Sequence, residues 1–177
     1  MKLALLSLLT ITAALGQNLT WRQTLDARLR MYGHRNWVVI ADSAYPLQSN
    51  PGIETIYSNE GQVETIRHVL VSLNALPHLR PIIYLDKELP VVSEEDAVGI
   101  SAYRQLISGL FEKHLPDQKP VPVYHESLLR QLDEAAKTYN VLIIKTNMAL
   151  PYTSVFFELR AGYWGDDAER RLREMIH

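Results

Sequence analysis

Gly33-His34-Arg35-Asn36-Trp37-Val38-Val39-Ile40-Ala41-Asp42-Ser43-Ala44-Tyr45-Pro46 is an apolar run held between a histidine and an aspartate. Residues 37–41 form a short, β-branched, uninterrupted apolar stretch bounded by polar residues, the composition of a strand buried on both faces. A buried strand needs only that run. His34 before it, with Asp42 and the turn-forming Pro46 after it, therefore points to a site at strand ends. Extended at ~3.3 Å per residue, positions 37–42 hold the two ends about 20 Å apart. Either Gly33 and His34 fold back along the sheet edge, or His34 and Asp42 serve different halves of a site shared between subunits.

Upstream, Thr20-Trp21-Arg22-Gln23 has the pattern of a capping box. Leu25, Leu29 and Tyr32 follow at helical spacing, and Gly33 is expected to stop that helix in the left-handed conformation. Downstream, Asn59-Glu60-Gly61-Gln62 opens a second helix with Val63, Ile66, Leu70 and Leu73 on one stripe, stopped at Pro77. Residues 81–86 read as a second strand, and it too ends in a carboxylate, Asp86.

Ser93 is expected to cap a long helix carrying Tyr103, Leu106, Ile107, Leu110 and Phe111 to a break at Pro116. Residues 121–124 are extended, and Pro122 confines them to an edge or a loop. Leu128, Leu129, Leu132 and Ala136 mark a further helix. Strands at 141–146 and 152–159 are joined by a tight turn containing Pro151. That connection is too short for a parallel crossover, so the pair is expected to be antiparallel. From Asp166 the tail is acidic and then basic through Arg170, Arg171 and Arg173, the charge order that favours a helix. This alternation predicts a three-layer α/β/α domain with a mixed, largely parallel sheet.

The length of 177 residues suits one domain of ordinary size. A net charge of -2, with both signs mixed along the chain, supplies no basic surface for nucleic acid. With no cysteine there is no disulfide framework, thiol nucleophile or Cys-based zinc site. Residues 1–16 combine an early Lys2, an apolar run and small residues at Ala14 and Gly16, the layout of a signal peptide. The expectation is an exported protein, periplasmic or secreted, whose domain occupies 17–177 and which has no membrane span after cleavage.

No glycine-rich phosphate loop follows a strand, and neither His-Glu-x-x-His nor Gly-x-Ser-x-Gly occurs, so no cofactor or metal is expected. The candidates that remain are His34, Asp42, His125, Lys145, Tyr152 and Ser154. Together they suit cofactor-free proton transfer on a polar small molecule.

The Gly-His motif, the apolar strand, Asp42 and Pro46 resemble the N-terminal signature of the RbsD/FucU family of D-ribose pyranases and L-fucose mutarotases. Tyr124-His125-Glu126 before a helix, the strand at 141–146, Pro151-Tyr152 and a strand ending in Ala161-Gly162 are similar to that family's C-terminal half. The resemblance spans residues 25–164. It implies an RbsD-like fold, homo-oligomers with interfacial sites, and interconversion of the anomers or ring forms of a ribose- or fucose-like monosaccharide without cofactor. By that resemblance His34 matches the catalytic histidine, Asp42 a binding aspartate, His125 a second active-site histidine and Tyr152 the tyrosine of the Pro-Tyr turn; Lys145 and Ser154 would contact substrate.

The chain departs from the family pattern at two places. Tyr152-Thr153-Ser154 stands where the family has Tyr-Ala-Asn, so an amide becomes a shorter hydroxyl. Lys145-Thr146-Asn147-Met148 stands where the family has Arg-Thr/Ser-Gly-Glu, so a glutamate is lost. These departures leave a second expectation open, a non-catalytic envelope protein that binds a saccharide or a partner on the same scaffold.

Overall fold

The computed structural model describes residues 19–176, so the expected leader at 1–16 lies outside the described residues. Helix α1 (Trp21–Met31) starts at the expected capping box: the Thr20 hydroxyl accepts from Gln23 N–H, and the Gln23 side chain accepts from Thr20 N–H at 2.9 Å. It does not end on a left-handed Gly33. Tyr32 leaves the helix in an extended conformation with its ring buried, and Gly33 N–H donates to the Asn36 side chain at 2.9 Å. Burial of the Tyr32 ring ends the helix, and the left-handed turn towards β1 (Trp37–Ala41) falls on Arg35, at a φ of 76°, instead of on Gly33.

Next comes β2 (Ile53–Tyr57), a strand absent from the sequence reading. It is an edge strand, largely half-buried, so its Ile-Glu-Thr-Ile-Tyr has neither the continuous apolar run nor the clean alternation that identifies a strand. Helix α2 (Gln62–Asn74) and strand β3 (Leu79–Asp86) follow as expected. Helix α3 (Ile100–His114) begins seven residues after Ser93 rather than beside it. Ser93 instead accepts from Asp96 N–H, and the Glu94 carboxylate accepts from the N–H groups of Gly99 and Ser101. A carboxylate reaching back over the first turn both fills those donors and opposes the helix dipole, which a serine hydroxyl at position 93 is too far away to do.

The remaining elements are β4 (Val121–Val123), α4 (His125–Ala135), β5 (Val141–Lys145), β6 (Val155–Ala161) and α5 (Asp166–Ile176). The six strands form one sheet in the order β2-β5-β1-β6-β3-β4. Strand β1 runs parallel to β5, with Trp37 opposite Val141. Strand β6 is antiparallel to both its neighbours, β1 and β3, and every other pairing is parallel.

The expected β5–β6 pair is therefore corrected: β6 does run the other way, but β1 lies between the two. The loop 146–154 crosses the carboxyl end of β1, held there by Thr146 N–H on Ala41 O (2.9 Å) and Ser43 N–H on Met148 O (2.8 Å). Short connections exclude a parallel crossover, but they do not exclude stepping over one strand.

All five residues of β1 are buried. Val38 and Ile40 pack with α1, α2 and α3 through Leu25, Leu70 and Ile107, whereas Val39 and Ala41 face Leu128 and Leu132 of α4. The same alternation sends Phe157 into the first layer and Phe156 into the second. Among the described residues no helix is long and apolar enough to cross a membrane. Because both phenylalanines are fully buried, Phe156→Ala and Phe157→Ala should each destabilise the domain by about 3–5 kcal/mol in urea unfolding. A loss below about 1 kcal/mol at either position would contradict a core on both sheet faces.

Candidate functional site

Five strands, β1 to β5, run in one direction and release the chain at one end of the sheet, and β6 starts there because it runs the other way. This end collects Asp42 after β1, Asp86 closing β3, His125 after β4, Lys145 closing β5, and Tyr152 and Ser154 before β6. The carboxyl ends of strands in open α/β sheets are where ligands bind.

Asp42 is fixed through both oxygens: Oδ1 accepts from Ala44 N–H at 2.9 Å and Oδ2 from the Ser154 hydroxyl at 3.0 Å. The first bond is a turn contact of the kind aspartate makes with its own backbone two residues on. The second joins residues 112 positions apart. Lys145 lies beside Ala41 in the β1–β5 register, and its ammonium donates to Tyr45 O at 2.6 Å.

His125 is the first residue of α4. Its N–H points at the Glu88 carboxylate at 3.2 Å, and its Nδ1 lies 3.1 Å from Asp86 Oδ1. The Asp86 side chain is fully buried, and its Oδ2 has no partner among the described residues. That carboxylate beside the ring raises His125 above the ordinary value of 6.5. Burial pushes the Asp86 carboxyl up as well, against the pull of His125. With Nδ1 committed to Asp86, Nε2 is the nitrogen free for a ligand. Tyr152 sits edge-on to the imidazole, ring centroids 5.7 Å apart.

Tyr152 has a φ of 56°, unusual for a residue with a side chain. A buried polar clamp holds the residue after it. Thr153 O accepts from Gln62 Nε2 and from the Tyr103 hydroxyl at 2.5 Å, and Gln62 Oε1 lies 2.8 Å from the Thr146 hydroxyl. That hydroxyl also lies 3.1 Å from Ala41 O. One network thus ties together the segments that carry Asp42, Lys145 and Tyr152, and it fixes a conformation costing about 1–3 kcal/mol.

Of the six sequence candidates, five meet here: Asp42, His125, Lys145, Tyr152 and Ser154. His34 does not. It precedes β1, is exposed, and lines a cavity with Arg160 and Trp164 at the opposite end of the sheet. The chain does not fold it back along the edge.

Asp86, Gln62 and Tyr103 are among the site residues that were not candidates. Asp86 had a visible signal, a carboxylate closing an apolar strand. Gln62 and Tyr103 had none, because their importance lies in contacts 91 and 50 residues away. Among the described residues no group of three or more His, Asp or Glu is placed to hold a metal ion.

No protein-family model matches the chain, and a search of curated proteins returns no match. Solved structures do match. The chain is similar to Bacillus subtilis RbsD complexed with D-ribose, at 19% identity and a TM-score of 0.50, covering 80% of this chain and 93% of the other. It is also similar to FucU from Bifidobacterium longum, at 16% identity and a TM-score of 0.57, covering 78% and 92%. The fucose mutarotase from Streptococcus pneumoniae in complex with L-fucose matches at 18% identity and a TM-score of 0.53, covering 82% and 98%. The fold is RbsD/FucU-like.

The Asp86–His125 contact has a pH signature. A histidine raised in the folded state contributes stability that is fully present below its unfolded value of about 6.5 and is lost as pH rises through the folded value. Asp86→Asn should lower the His125 midpoint in an imidazole NMR titration and flatten the pH dependence of urea unfolding above pH about 6.5. An unchanged His125 midpoint would show that Asp86 does not hold the ring.

Proposed function

We propose that this protein interconverts the anomers or ring forms of a monosaccharide by acid/base catalysis without a cofactor. The observation that carries the reading is the His125–Asp86 pair beside Tyr152 and Asp42 at the strand ends. Two of the similar solved proteins are complexes with D-ribose and L-fucose, which supports a monosaccharide as the ligand.

Opening a cyclic hemiacetal removes the proton of the anomeric hydroxyl and protonates the ring oxygen as the C–O bond breaks. Rotation of the aldehyde and reclosure on its other face give the other anomer. His125, raised by its buried carboxylate, is the acid that delivers a proton through Nε2. Asp42 and Ser154 orient sugar hydroxyls, with Lys145 behind them, and Tyr152 binds a hydroxyl or relays the proton. The second acid/base group is His34 from another copy of the chain, which makes the active form a homo-oligomer with shared sites. Export belongs to the same proposal, supported by the pattern of residues 1–16.

One observation favours a different reading, binding without catalysis. Both Asp42 oxygens and the Lys145 ammonium already have partners within the chain, so these groups are less available to a reacting sugar.

Saturation-transfer NMR across a pentose, a hexose and a deoxyhexose separates the two readings. Catalysis predicts faster anomer exchange for at least one sugar, and a loss of about 10²–10⁴-fold in His125→Ala. No acceleration of any sugar, with binding retained in His125→Ala, would overturn catalysis in favour of binding.

A further inference from the structure

The cavity around His34 has a volume of about 560 Å³ and opens between the amino end of β1, the start of β3 and the start of α5. Small-molecule sites run roughly 300–1,000 Å³, so its size suits a ligand. Its charges are unevenly matched. Arg80 pairs with Asp166 at 3.1 Å, Arg173 with Glu169 at 2.7 Å and Arg160 with Glu158 at 3.2 Å.

Arg35 takes part in none of the ion pairs among the described residues; its guanidinium donates to the Tyr139 hydroxyl at 2.8 Å. It is also held in place, with a φ of 76° and its N–H on Leu159 O at 2.8 Å. Arg160 adds a buried Nε–H with no partner among the described residues. One uncompensated guanidinium and one orphaned donor call for one anionic oxygen ligand, and carboxylate geometry matches the arginine fork.

The other wall is aromatic. Trp164 is 43% exposed and Tyr163 is 79% exposed, so both rings are available to a ligand. The indole is not free to swing: Trp164 Nε1 donates to Glu169 Oε2 at 2.7 Å, and the same carboxylate holds Arg173. A fixed ring with an apolar face and a polar rim suits a pyranose, which presents C–H groups on one face and hydroxyls around its edge.

We propose that this cavity binds a carboxylated monosaccharide, a uronate, with its carboxylate on Arg35 and its ring against Trp164. The inference rests on the sugar reading above, in which His34 completes the site of another copy: this cavity, lined by His34, is then one half of the shared site, and a uronate is its substrate class.

Calorimetric titration of the full domain with D-glucuronate, D-galacturonate, D-glucose, D-galactose and inorganic sulfate tests it. Uronates should bind at least about tenfold more tightly than the matching neutral sugars, since that ion pair is charge-assisted. Arg35→Gln should erase this preference, Arg35→Lys should keep part of it, and Trp164→Ala should weaken uronate binding while sparing sulfate. Equal affinity for neutral sugars and uronates, a preference that survives Arg35→Gln, or sulfate binding as tightly as uronate would each overturn the proposal.

The exchange measurement distinguishes this failure from failure of the proposed catalysis. Accelerated exchange of neutral aldoses with no uronate preference would remove this inference and leave the catalysis. Uronate binding lost in Arg35→Gln, with no exchange of any sugar, would do the reverse.

Discussion

Burial of β1 on both faces is the constraint on which the rest depends. Val38 and Ile40 must be covered by one layer of helices, and Val39 and Ala41 by another. That requirement places α1, α2 and α3 on one side and α4 on the other. It also sets β1 inside the sheet, paired over residues 37–41 with β5 in parallel and over 37–40 with β6 in antiparallel alignment. A strand of this length, paired on both sides, holds its two ends apart, so Asp42 and His34 belong to different ends of the molecule whatever else the chain does.

The direction of β6 has the larger chemical consequence. In an all-parallel sheet the carboxyl ends would be met only by loops leading into helices. Here one strand enters from that side, and Tyr152, Thr153 and Ser154 arrive with it. Ser154 reaches the Asp42 carboxylate, and Thr153 O is gripped by Gln62 and Tyr103 from the helical layer beneath. The left-handed Tyr152 is then held by the contacts of the two residues that follow it. A helix-borne histidine, a buried carboxylate at a strand end and a strained tyrosine come from separate stretches of sequence and share one rigid edge.

Much of this was legible in the sequence, for reasons that differ by residue. The buried strand at 37–41 and the helical stripes could be read because period and composition report burial directly. Strand β2 could not, because an edge strand buries too little to leave a pattern. The position of β6 between β1 and β3 was hidden because a short loop limits direction, not adjacency. In the site, His125 and Tyr152 were recognisable as residue types in a motif. Asp86 was visible only as a carboxylate at a strand end, while Gln62 and Tyr103 looked like an ordinary helix start and an ordinary core aromatic. Hydrogen bonds between distant segments leave no local trace in a chain.

The separation imposed by β1 turns into a statement about assembly: if His34 and His125 act on one sugar, they must come from different copies of the chain. Mixing His34→Ala with His125→Ala protein, after dissociating and reassembling the subunits, measures this directly through the rate of anomer exchange. Each variant alone should be inactive and the mixture should recover activity, because some interfaces then carry both intact histidines. A mixture as inactive as its components, or a His34→Ala variant with full activity, would contradict that assembly.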